Sequence, residues 1–133
     1  MEFIEGEYLV TSHYMKCVVK DGFEKVFEAL SREFGTVYAR KFGETGESAS
    51  GIVLGEHYFF RAENDAAVLI TLESLSSGDT RIEIISCAGG KGLLEVSWGA
   101  HSAYVSQVKN FLTDSGFDLV IEEEIPYFGS RAS

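Results

Sequence analysis

Two stretches of helical apolar spacing must cover strand-like segments whose apolar residues fall on both alternations. That imbalance constrains the fold more than any other feature of the chain. Phe23, Val26, Phe27, Leu30 and Phe34 recur at one-face helical spacing, with Gly35 as a natural stop. Asp21 is placed to cap this helix, with Glu24 reaching back as in an acidic capping box. Tyr104, Val105, Val108, Phe111 and Leu112 form a second stripe, closed by Gly116, with Ser97 or Gly99 as its cap.

The strand-like segments are Glu7–Lys20, Thr36–Phe42, Ile52–Arg61, Ala66–Leu75, Thr80–Ala88 and, at the end, Phe117–Ile125. Gly43–Gly51 reads as an exposed loop and Ala62–Asp65 as a turn. Leu93–Val96 reads as a brief strand or a loop. Ser76-Ser77-Gly78-Asp79 is a compact turn sequence that predicts an antiparallel hairpin between its neighbours. The order β-α-β-β-β-β-α-(β) specifies an α+β fold, an antiparallel sheet with two amphipathic helices packed on one face. At 133 residues one domain is expected over 1–125, followed by a loosely held tail from Pro126 to Ser133.

Two helices cover only one sheet face, so the other should be polar. It is not cleanly so. Tyr8, Val10, Tyr14 and Val18 share one parity of the first strand while Leu9, Met15, Cys17 and Val19 share the other. Ile52, Leu54, Tyr58 and Phe60 oppose Val53 and Phe59 in the same way. Strands apolar on both sides are covered on both sides. Either a second chain packs there, as in a homodimer, or the sheet curls around a cavity.

The formal net charge of −10 is spread along the chain and repels phosphate backbones, which excludes nucleic acid and a bare anionic membrane as expected partners. The apolar runs fall far short of the roughly 20 residues of a spanning helix, and Met1–Glu5 lacks the basic flank of a signal peptide. A cytoplasmic protein is expected. Cys17 and Cys87 lack metal or redox spacing and read as free thiols.

Gly89-Gly90-Lys91-Gly92 precedes the second helix without the spacing of a nucleotide loop. A weaker reading is a small-anion site built from Gly89, Gly90, Lys91, Gly92, Ser97, His101 and Ser102, with Trp98 closing it. The plain alternative makes Trp98 a core anchor and His101 a solvated first-turn residue. Cys87 with His101 or His57 is a conceivable thiolate–imidazole pair. His13 and Cys17 share a face of the first strand, but their spacing, like that of His57, Cys87 and His101, matches no metal motif. No cofactor is expected. Glu56, Glu73, Glu83 and Glu95 lie within strand-like sequence, and Glu122–Glu124 read as a solvated charge run.

The segment from Cys87 to His101, a glycine turn followed by Ser97-Trp98-Gly99-Ala100, resembles the C-terminal signature of a family of small bacterial single-domain proteins to which no activity is assigned. That resemblance implies a bacterial single-domain protein and transfers no catalytic residue. In topology the chain is also similar to a reduced helix-grip fold, whose members hold apolar ligands between sheet and last helix. The leading expectation is a non-enzymatic binding or interaction domain, homodimeric through its second sheet face. The alternative is a small carrier of an apolar ligand in a cavity lined by Phe59, Tyr104, Val108 and Phe111; a cysteine-dependent enzyme is the third.

Overall fold

A computed structural model describes residues 12–43, 49–59, 64–88 and 100–126. Its elements run in the predicted order: β1 (Ser12–Val19), α1 (Phe23–Phe34), β2 (Tyr38–Phe42), β3 (Ser50–Phe59), β4 (Asn64–Ser74), β5 (Thr80–Ala88), α2 (Ala100–Asp114) and β6 (Leu119–Ile125). The strands form one six-stranded antiparallel sheet in the order β2-β3-β4-β5-β1-β6. β1 is inserted between β5 and the edge strand β6, so both of its pairings are non-sequential while β2 to β5 follow in chain order.

Both helices lie on one face. α1 rests on β3 and β4, and α2 on β4, β5 and β1. Beneath them the register aligns Val53, Ile70, Ile84 and Met15 across four strands, each almost wholly buried, and one row further Leu72, Ile82 and Cys17. Val26, Leu30, Val105, Val108 and Leu112 close the core from above. The helices meet through the Phe34 ring, edge-on to Phe111 at 5.5 Å and tilted against Tyr104 at 6.3 Å.

Two chain ends differ from the sequence reading. The α1 N-cap is Gly22, and no side chain caps it. Asp21 stands one residue too early to act as the cap. Its carboxylate accepts from the Gly22 N–H at 2.9 Å and pairs with Lys25, while Glu24 pairs with Lys41 at 2.8 Å instead of reaching back. β3 begins at Ser50, so the end of the expected Gly43–Gly51 loop belongs to the sheet. At the end of α2 the expected stop is realised in full. Gly116 takes φ +93°, its N–H donates to Thr113, and the Phe117 N–H donates to Leu112 at 3.0 Å, a Schellman closure whose following residue, Phe117, is buried.

The close approach of the helices depends on Gly55. A side chain there would collide with the Phe34 carbonyl oxygen and stand 3.1 Å from the Tyr104 hydroxyl, so the end of α1 sits directly on bare β3 backbone and the Tyr104 side chain of α2 reaches the same spot. Gly55→Ala should therefore lower stability by about 1–3 kcal/mol. In urea unfolding the midpoint should fall with an unchanged slope, and an unmoved midpoint would contradict this seating.

Candidate interaction surface

Because side chains alternate along a strand, the register that buries one face fixes the composition of the other. No described element packs over that outer face. Its central row is apolar from edge to edge: Tyr38, Leu54, Leu69, Ile85, Tyr14 and Ile125 are successive cross-strand partners. Tyr38 is 45% exposed at one edge, and Leu54, Leu69, Ile85 and Ile125 are partly exposed. The next row is mixed, running Arg40, Ile52, Thr71, Glu83, Lys16 and Glu123. A third row runs Phe42, Ser50, Glu73, Arg81, Val18 and Val120.

Hydrogen bonds hold the charged groups of this face in place. Glu83 accepts from the Tyr14 hydroxyl at 2.6 Å and from Thr71 at 3.2 Å, which fixes both carboxylate oxygens. Burial, then this bond to Glu83, raises the Tyr14 pKa well above its ordinary range. Arg81 donates to Glu122 at 3.1 Å and reaches Glu73 at 3.5 Å. The bond from Arg81 in turn holds the Glu122 carboxyl below its usual range. Phe42, Ile52, Thr71 and Arg81 help line an open groove of about 370 Å³. The run Glu122–Glu124 is thus not merely solvated: its members face Arg81, Lys16 and His13 respectively. The bulge that β6 makes against Lys16 and Cys17 lets Glu122 and Glu123 both face outward.

Of the residues expected to form an anion site, Gly89, Gly90, Lys91, Gly92, Ser97 and Trp98 lie outside the described residues. His101 and Ser102 fall in the first turn of α2, and their side chains lie outside the description too. For the apolar-ligand cavity, Tyr104 and Val108 are fully packed core residues, Phe111 packs against that core, and the Phe59 side chain is outside the description. Of the two conceivable thiolate–imidazole pairs, Cys87 with His57 is overturned by register. His57 lies opposite Ala66, which lies opposite Ala88, so Cys87 points to the outer face and His57 to the helix face. The two thiols are likewise on opposite faces and both are free. Burial pushes the Cys17 thiol up to about 12, and partial desolvation raises Cys87 although the residue is exposed. Neither sits in a setting that lowers its pKa toward a thiolate. Among the described residues no three His, Cys, Asp or Glu side chains converge as a metal site would require.

A cluster the sequence did not reveal lies on the helix face. His13 and Ser86 are direct cross-strand partners, both buried, and the His13 Nε2 lies 2.6 Å from Glu124. Serine, histidine and carboxylate are the residue set of acyl transfer, but here Ser86 Oγ is buried without a hydrogen-bond partner, the ring included. Among the described residues this hydroxyl therefore lacks the bond to a base that activates a nucleophilic serine. Only a strand-pairing register could have exposed this cluster, since its members are 73 and 38 positions apart in sequence order (86 − 13 and 124 − 86).

No protein-family model matches the chain, and no curated protein or solved structure matches it either. What can be read of its role comes from these surfaces.

Two outcomes follow from the buried groups. A buried hydroxyl without a partner costs about 1–3 kcal/mol. Ser86→Ala should therefore be neutral or stabilise the fold by about 1 kcal/mol; a marked loss of stability would assign the hydroxyl a bonding role. Burial also favours the neutral forms of Cys17 and Tyr104, raising each to about 12 from ordinary values of 9.0 and 10.0. The stability they lend is whole below those ordinary values and is lost as pH rises toward the folded-state values, because the unfolded chain releases its protons first. Urea midpoints should fall steadily from pH 9 to pH 12, and a flat profile would contradict the burial of both groups.

Proposed function

We propose that this chain is a non-enzymatic interaction domain that self-associates through the outer face of its sheet. The observation that carries the reading is the apolar row from Tyr38 to Ile125, which crosses all six strands on the face no described element covers. Isolated surface leucines are ordinary, whereas a contiguous apolar band rimmed by charged residues is the composition of a protein contact. The two thiols, both free, favour a reducing compartment such as the cytoplasm. Among the described residues no helix is long and apolar enough to cross a membrane. A small-anion site at the glycine run and the start of α2 stays within this reading as a ligand subsite.

Sedimentation equilibrium and native mass spectrometry test the proposal together. The wild-type chain should show a doubled mass at micromolar concentration, and Leu69→Glu, placed in the centre of the band, should weaken association by about a hundredfold while leaving the circular dichroism unchanged. A clean monomer across that range would overturn the reading. Co-purified lipid on such a monomer would turn the assignment to a carrier of apolar ligands.

A further inference from the structure

When the outer face is reversed on itself, its apolar row meets the apolar row and the charged groups at its edges and centre meet opposite charges, and this order defines how a second copy would sit. The inference rests on the self-association proposed above. We propose that two chains pack outer face to outer face about a two-fold axis that runs parallel to the strands, between β4 and β5. The sheet has its midpoint there, with three strands on either side.

Rotation about this axis lays β4 on β5 of the second copy, β3 on β1 and β2 on β6. Along the apolar row Leu69 then meets Ile85 of the second copy, Leu54 meets Tyr14, and Tyr38 meets Ile125, so the band stays apolar throughout. In the second row Arg40 meets Glu123, Thr71 meets the carboxylate of Glu83, and Ile52 meets the stem of Lys16. In the third row Glu73 meets Arg81, Phe42 meets Val120, and Ser50 meets Val18. Phe42 and Val120, 38% and 52% exposed at opposite edges of one sheet, thereby cover each other. Every one of these contacts forms twice, as an isologous interface demands.

An axis running across the strands serves the same band less well. It keeps the apolar row on itself but lays Glu83 on Cys87, Thr71 on Ala67 and Lys16 on Ser12, and so among the described residues joins no opposite charges. Charge complementarity therefore selects the axis parallel to the strands. Sheets packed face to face lie about 10 Å apart, and an axis parallel to the strands keeps the strands of the two copies aligned, so each row lies over the same row of the second copy.

Arg40 and Glu123 are both exposed in the single chain, Arg40 lying over the Phe42 ring at 4.8 Å and Glu123 pairing at the surface with Lys16 at 3.9 Å, so either can be reversed without disturbing the core. In Arg40→Glu chains two acidic pairs face each other across the interface, and in Glu123→Arg chains two basic pairs do. Each variant alone should self-associate about tenfold or more weakly than wild type. Mixed in equal amounts, they should form a heterodimer of near wild-type affinity, because one cross-interface pair is restored with its signs exchanged and the other is the unaltered Arg40–Glu123 pair. Native mass spectrometry at low salt reads all three species, the chains being distinguishable by mass. If wild type dimerises but each variant does so equally well, or the mixture is no tighter than its components, the axis is wrong while self-association stands. If wild type stays monomeric, the self-association itself is absent and this geometry falls with it.

Discussion

Two helices cover one face of a six-stranded sheet and no more, and most of this structure follows from that limit. The seating of the helices depends on backbone exposed at Gly55 and on Phe34, which bridges α1 to α2. Once that face is sealed by residues buried almost completely, strand alternation sends Leu54, Leu69, Ile85 and Ile125 to the other side. They sit there because their strands must pair, and pairing leaves the outer face to find its own cover.

The outer face does not behave as plain exposed apolar surface. Tyr14 and Thr71 bind both oxygens of Glu83, and Arg81 bridges Glu122 and Glu73, so its charges are held in fixed places beside the apolar band. Fixed charge discriminates between partners more than it strengthens any one of them. The edges carry the same logic: β2 offers Arg40 and Lys41, while β6 is bulged and acidic. Both features discourage edge-to-edge pairing of like strands. In the proposed self-association the face, not the edges, is then the contact.

The helical stripes were legible in the sequence because their apolar residues keep a strict period, and the hairpin between β4 and β5 because Ser76-Ser77-Gly78-Asp79 permits little else. The apolar surplus on both strand parities was legible for the same reason. Strand order was not. Nothing local to residues 12–19 says that they insert between β5 and β6, and without that register neither the apolar row nor the pairing of His13 with Glu124 can be assembled. The capping reading of Asp21 failed by one position, since Gly22 takes the cap and Asp21 binds its N–H from outside. The glycine run that dominates the sequence by composition lies outside the described residues, while the surface that carries the functional reading is spread one or two residues at a time over six strands.

The central claim is that the outer face is buried against a copy of itself, and carbene footprinting across a dilution series tests it most directly. At high concentration Leu54, Leu69 and Ile85 should be protected, and on dilution below the dissociation constant their labelling should rise severalfold. Val37, 55% exposed and outside the band, should label equally throughout. Uniform labelling of all four positions at every concentration would contradict the account.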